Sequence, residues 1–423
     1  MRKTSIAFVL GMAVWGAGAS AEENWAQFRG VGAQGHSDER GLAVRVGEAA
    51  SIKWKTEIHG RAWSSPVVWG KQVWVTTATE DGKELYAVCV DRETGKIVHD
   101  LKLFDVEKPQ YAHPFNTYAS PTPVIEEGRV YVTFGSPGTA CLDTNTGKVI
   151  WSRTDFVCNH FRGAGSSPIL FENLLIMHFD GSDYQYVVAL DKATGKTVWK
   201  TNRSADYGDL NADGKPKLEG DLRKAFSTPV IATVEGRDVL ISEGSMACYV
   251  YDPRTGEELG RVVYRNCFSG SVTPVIGEGV AYVGMGHSRG ELWAMRLGGK
   301  SVISEGQVAW KVTKNVPTRN SPVLVDGMIY MVDDDGMASC LEAKSGQEVW
   351  RKRLKGQYSA SPVYADGKIY FFSESGYVTV IEPGREFKLV AESRMEEGFM
   401  ATAAVAGKAM YVRTKKSLCR VGL

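Results

Sequence analysis

The sequence predicts an all-β chain: an eight-bladed β-propeller of four-stranded antiparallel blades, with the N-terminal strand closing the C-terminal blade. Three observations predict it. The stretch Asp143-Thr144-Asn145-Thr146-Gly147-Lys148-Val149-Ile150-Trp151 recurs nearly intact from Asp191 to Trp199, with weaker copies at Asp91 to His99, Asp252 to Gly260 and Glu342 to Trp350. A Pro followed by a β-branched residue opens each unit, at Pro66-Val67, Pro123-Val124, Pro168-Ile169, Pro229-Val230, Pro274-Val275, Pro322-Val323 and Pro362-Val363. A weaker eighth opening lies at Ala403 to Val405. Between opening and recurring turn each unit holds short alternating strands and Gly-containing hairpin turns, as at Asp326-Gly327 and Asp366-Gly367. Self-similarity of this kind marks one blade of a repeat architecture.

Taken in order, residues 1–21 read as a secretory signal. Arg2 and Lys3 are basic, Ile6 to Val14 is apolar, and Ala19-Ser20-Ala21 is a small-residue cleavage site. The mature chain is then exported, to the periplasm or medium. No other stretch reaches the roughly 18 apolar residues of a membrane helix. Residues 22–50 form an irregular lead-in, in which Trp25 to Gly30 packs an aromatic pair against the body. The propeller spans 51–423. The last unit, Ala409 to Val421, has too few strands for a blade, whereas the alternating stretch Ser51 to Ile58 precedes the first opening and contains Trp54. Closing the ring with that strand removes the free sheet edges.

Composition narrows the function classes. The chain of 423 residues is 43% hydrophobic and 23% charged, an ordinary globular balance. Formal charge is +1, and loss of Arg2 and Lys3 makes it −1, which offers no electrostatic attraction for nucleic acid. Seven Cys is an odd number for an exported chain. Cys89, Cys141 and Cys340 share one register, two residues before the turn acid, and read as small buried strand residues. Cys158 and Cys267 lie between repeats, where a disulfide is the alternative to free thiols.

Trp54, Trp151, Trp199, Trp310 and Trp350 each belong to an outer strand, and His99, Gly260 and Phe387 stand at or next to the matching position elsewhere. Five copies argue for a wedge between blades, because a single stacked ligand needs one or two platforms.

The Ala/Cys-Leu-Asp-x-x-Thr-Gly-Lys-x-x-Trp units, the Ser-Pro-Val openings and the closing strand resemble the pyroloquinoline-quinone-like repeat family over roughly residues 51–423. The resemblance implies the propeller fold. That family includes quinoprotein dehydrogenases, which bind quinone and Ca²⁺ in a funnel on one face. It also includes the propeller subunit of the bacterial outer-membrane β-barrel assembly machinery, which binds no cofactor. The chain has no adjacent Cys pair and no Cys-x-x-Cys-His, so pyrroloquinoline quinone is not expected; no Cys stands at the cleavage point for a lipid.

Ligand-binding groups are expected on the face shared by the inter-blade links and the loops between second and third strands. The links carry His113, Asn116, His160, Arg162, Arg223, Lys224 and Arg319, and the loops carry Asp180, His287 and Asp333-Asp334-Asp335. Three His from separate blades are set against mutually bonded polar loops, Arg162 and Arg319 against pairing with loop acids, and the Asp run against a solvated turn. Trp63, Tyr118, Phe226, Phe268, Tyr358 and Phe399 precede blade openings, as funnel lining or as wedges. In the longest link, Asp209-Leu210-Asn211-Ala212-Asp213-Gly214 has the spacing of half a calcium loop. Pro216 and Gly220 break the second half, leaving Glu219 or Asp221 as the closing ligand, and an Asx-rich turn is the alternative.

The expected function is non-catalytic, a binding or scaffolding protein of the envelope whose partner is an envelope protein or small ligand, acting as a monomer and without a cofactor beyond this calcium candidate. The competing class is a quinone- and calcium-dependent alcohol or sugar dehydrogenase, for which Asp333, Asp335 and Arg319 would be the catalytic candidates.

Overall fold

The computed structural model describes residues 24–265, 267–299 and 301–423. The expected signal segment, 1–21, lies outside them. Eight sheets form the ring, and each contains four antiparallel strands, in chain order from the centre outward in seven of them. Blade one runs through Val67–Trp69, Gln72–Ala78, Glu84–Asp91 and Ile97–Asp105. Blade eight takes Ala404–Ala406, Ala409–Arg413 and Ser417–Gly422 from the C-terminal end and Ile52–Glu57 from the N-terminal side. Ile52–Glu57 pairs antiparallel with Ser417–Gly422, so the ring closes as the sequence predicts.

The recurring turn forms for a local reason. The Asp143 carboxylate accepts from the Thr146 amide (2.8 Å) and hydroxyl (2.9 Å), and Gly147 supplies φ +70°. Asp91 and Asp191 make the same bonds to Thr94 and Thr194. The outer strand that follows carries a register shift in all eight blades, just before the Trp or His in six of them, as at 149/151 and 197/199, and before Gly260 and Ala391 in the other two. A bulge re-aims the next side chain, and here that side chain meets the following blade.

The indole of Trp151 lies on Gly195 of the next blade's turn and donates Nε1–H to the Lys192 carbonyl at 3.0 Å. Trp54, Trp199 and Trp310 repeat this on Gly95, Gly256 and Gly346, with bonds of 2.9–3.0 Å to Arg92, Pro253 and Ala343. Trp350 donates to Gly384 at 3.0 Å. A Cβ on Gly195 would stand 2.7 Å from the Trp151 ring, so the turn glycine is needed both for φ and for the indole's approach. Blade one substitutes His99, which lies on Gly147 and contacts the Thr144 carbonyl at 3.3 Å.

A second ring of bonds lies near the axis. The residue before each opening is Ser or Thr: Ser65, Thr122, Ser167, Thr228, Thr273, Ser321, Ser361 and Thr402. Its amide donates to the hydroxyl of the next blade's counterpart at 2.9–3.0 Å. Thr402 to Ser65 joins the last blade to the first. The step from Thr228 to Thr273 is the gap, and the buried Thr273 hydroxyl has no partner among the described residues.

The lead-in goes further than packing an aromatic pair against the body. Trp25 is buried and pairs with Val68, as predicted for an aromatic anchor. The segment then crosses the central channel. The Ile125 amide donates to the Ala26 carbonyl (2.8 Å), the Ile276 amide to Gln34 (2.8 Å), and His36–Ser37 adds a parallel strand to Val363–Ala365. Arg29 is fully buried at the axis and donates to the carbonyls of Ala33, Gln34, Ser321 and Pro322 at 2.6–3.0 Å. Burial pulls its pKa down to about 9, so it is still charged at neutral pH.

All seven Cys are buried free thiols. Cys89, Cys141 and Cys340 lie in strands as expected, and Cys158 and Cys267 form no disulfide.

Trp199→Ala is expected to cost about 3–5 kcal/mol, and Trp199→Phe, which loses the indole bond, about 1 kcal/mol. Urea unfolding checks both; a Trp199→Ala midpoint equal to wild type would refute the wedge. Arg29→Met strips four carbonyls of their donor and is expected to cost about 2–4 kcal/mol. Limited proteolysis should then release the lead-in before the ring is cut.

Candidate functional site

The links and inner loops surround a funnel on one face, with a cavity of about 410 Å³. Six of the eight residues of the hydroxyl ring line its wall, and Phe28 of the lead-in lines it from the axis. The plug at the opposite end of the channel therefore makes the funnel blind. The aromatics before the openings divide between the two roles expected of them. Trp63 and Phe226 line the funnel, whereas Tyr358 and Phe399 are fully buried wedges.

Five sequence candidates do converge: His113, Asn116, Arg162, His287 and Arg319 all line the cavity. Asn116 is structural. Its amide donates to the carbonyls of Arg162 (3.0 Å) and Ala164 (3.2 Å), tying two links together. Arg319 is clamped between Asp334 (3.2 Å) and Glu374 (3.1 Å), and its guanidinium lies 4.6 Å over the Phe115 ring. Burial and then the Arg162 charge lower the His113 pKa; burial, Lys224 and Arg162 lower that of His287. Both imidazoles are neutral at neutral pH.

Other candidates are placed elsewhere. His160 is not a funnel group. It is buried, its Nε2 accepts from the Ser136 amide at 2.9 Å, and burial takes its pKa down to about 4. Asp180 is held bidentately by Arg203 at 2.9 and 2.7 Å inside the body. Of the Asp run, Asp334 alone lines the funnel, bonded to the Thr318 amide and hydroxyl. Asp333 caps its own turn through the amides of Asp335 and Met337, and Asp335 is exposed. The pair Asp333 and Asp335 is therefore replaced by Asp334.

The calcium candidates do not assemble. Asp209 gives both oxygens to Arg223 (2.9 and 2.7 Å), and Asn211 Oδ1 accepts from the Asp213 and Lys215 amides within its own turn. Gly220, at φ +81°, lies against the Ser182 carbonyl, and Asp221 faces Lys224 and Arg162 instead of the loop. Glu219 belongs to an outer groove beside Tyr111 and Phe161. No cluster of three or more His, Cys, Asp or Glu suited to a metal exists among the described residues. Asp334 is the one acid that lines the funnel among the described residues, and it faces Arg319 at 3.2 Å.

Sequence reasoning missed Phe28, Glu374 and the hydroxyl ring. The ring had a signal: Ser or Thr precedes every opening. Glu374 had the same signal as Asp334, a place in the loop between second and third strands; Phe28 had none, because nothing local shows that the lead-in crosses the axis.

The family profile described as outer membrane protein assembly factor BamB matches residues 36–304 and 301–386. The chain belongs to that family. The outer membrane protein assembly factor BamB of Yersinia pestis is 23% identical over 260 residues, 61% of this chain and 59% of that protein. The match thus spans about three fifths of that relative's length. The crystal structure of BamB from Moraxella catarrhalis has a TM-score of 0.59 at 11% identity, covering 88% of this chain and 99% of that one. A europium-containing methanol dehydrogenase has a TM-score of 0.56 at 13% identity, covering 94% and 90%. A computationally designed protein, Ika8, also scores 0.56, at 12% identity, with 88% and 99% covered. At such identities these structures show the fold, and one fold hosts many functions.

Because His160 is neutral when folded and titrates near its ordinary value when unfolded, the unfolded chain binds the extra proton between the two values. Stability conferred by this group is complete above about 6.5 and is lost as pH falls toward about 4. The stability difference between wild type and His160→Gln should therefore shrink by roughly 2–3 kcal/mol across that window. Chemical unfolding at a series of pH values measures it, and a constant difference would contradict the assignment.

Proposed function

We propose that this member of the family is an exported, non-catalytic binding protein of the cell envelope, acting as a monomer and presenting its funnel face to an envelope protein or a small ligand. The observation that carries the reading is how the funnel's charges are arranged. Asp334 and Glu374 each face Arg319, and Asp221 faces Lys224 and Arg162, so the carboxylates hold the links in place. Such pairing shapes a surface and leaves no acid poised as a base. The family's description as an outer membrane protein assembly factor and the signal-like N-terminus support the envelope. Exposed side chains on the same face, Tyr111 and Phe115 among them, support contact with a partner.

The competing oxidoreductase reading retains one supporting observation, the convergence of Asp334, Arg319 and the Phe115 ring at the funnel. Two measurements separate the classes. A photo-crosslinking residue at Phe115 is expected to give a discrete adduct with one envelope protein, and one at Asn145 on the opposite face none. Purified mature protein titrated with quinone and Ca²⁺ is expected to show no saturating binding and no dye-linked alcohol oxidation. Tight quinone binding with sustained turnover would overturn the binding-protein reading.

A further inference from the structure

We infer that the funnel binds a small organic carboxylate, whose charge is held by Arg162, His113 and His287 and whose apolar body lies against Phe226 and Phe28. This rests on the funnel face being a binding surface and adds the chemistry of the ligand.

The two walls of the funnel differ in what they have left to offer. On one, Arg319 is ion-paired with both Asp334 and Glu374, at 3.2 and 3.1 Å. On the other, the donors are uncommitted. Among the described residues the Arg162 guanidinium donates no hydrogen bond, and it meets Asp221 only at 3.6 Å. His113 Nδ1 accepts from the Phe115 amide at 3.2 Å, which places the proton of the neutral ring on Nε2, free to donate. His287 is exposed, and its ring has no hydrogen-bond partner among the described residues. All three line one cavity, and the His113 amide bonds to the Arg162 carbonyl at 3.2 Å, which holds two of the links together.

A fourth group points the same way. Ser269 lines the cavity, is 5% exposed, and has a buried hydroxyl with no partner among the described residues. Its backbone sits at φ +58°, a conformation that costs a non-glycine residue energy and that gathers at ligand sites. A buried hydroxyl without a partner is costly, and a ligand oxygen would relieve that cost.

The charge balance selects an anion: one guanidinium and two imidazoles face the space, and the nearest acids, Asp221 and Asp334, are already paired with Lys224 and Arg319. The remaining surface selects an apolar body. Phe28 closes the funnel, and Phe226, Trp63 and Met400 line it. A cavity of about 410 Å³ is of the size that holds a small ligand. A planar carboxylate suits Arg162, whose fork can meet both oxygens.

Proton uptake follows. His287 is faced by Lys224, Arg162, Asp334 and His113, and His113 by Arg162; Lys224 is itself paired with Asp221, and Arg319 and Glu374 lie on the other wall. Positive neighbours and burial keep both imidazoles neutral, and an anion between them reverses the balance. Affinity should therefore rise as pH falls from about 7 toward about 6.

The carboxylate could belong to a free acid or to the end of a polypeptide, and the test has an arm for each. Calorimetry on the mature protein would compare phenylacetate with phenylacetamide, and a short apolar peptide bearing a free carboxyl terminus with its amidated form. Saturable binding of at least one acid, roughly tenfold or more tighter than its amide, is expected. Arg162→Gln and His287→Gln should each weaken it, with Arg162→Gln by roughly tenfold or more. Enthalpies in buffers of different ionisation heat should show proton uptake. His287 is exposed, so its variant leaves folding undisturbed and keeps the test decisive. Equal affinity for acid and amide, or unchanged binding in both variants, overturns the carboxylate assignment. Failure of every ligand with a Phe115 adduct still formed would sink this inference and leave the binding-protein reading standing.

Discussion

The docking of each blade's outer strand onto the next blade's turn is the contact on which the ring depends. It couples three local facts. The Asp-x-x-Thr-Gly turn exposes one backbone carbonyl, the glycine in that turn leaves room for a flat ring, and a bulge aims the Trp at both. None of these stabilises a blade by itself. A lone four-stranded sheet leaves both faces in water, and burying an indole between sheets removes a large apolar area from it. Ring closure by Ile52–Glu57 brings the Trp54 copy of the contact to blade one.

The axis adds a second constraint. Hydroxyls before the openings accept from blade to blade at seven of the eight steps, and Arg29 satisfies carbonyls from both the lead-in and blade six. A fully buried guanidinium is tolerable only with its donors satisfied. Here it turns a flexible-looking N-terminal stretch into the plug of the channel. The plug has a functional consequence: the funnel is a blind cup floored by Phe28 rather than a pore, and whatever enters from the loop face must leave by it.

The loops illustrate how charge pairing decides which motif survives folding. Asp209 to Gly214 has the spacing of a cation loop, yet Asp209 is taken by Arg223 and Asp221 by Lys224. A carboxylate committed to a guanidinium has no lone pairs left to share with an ion. The same reasoning separates Asp334, which pairs with Arg319 on the funnel wall, from Asp333, whose oxygen is used by its own turn. Spacing along the chain could not rank these two neighbours.

The repeat made the fold legible. Turn chemistry, alternating strands and the Trp positions are short-range properties, repeated often enough that blade number and closing strand could be read from residues 51–423 alone. Parts of the site were legible too: His113, Arg162, His287 and Arg319 stand in links, and links must lie on one face. What the sequence did not determine was which link residues meet. His160 and Arg162 are two positions apart, yet one is a buried acceptor and the other a funnel cation. Arg29 bonds to carbonyls 292 and 293 residues away. Local patterns set elements because their interactions span a few residues. The funnel is set by ring closure, which brings distant links to one axis, and only the tertiary structure holds that information.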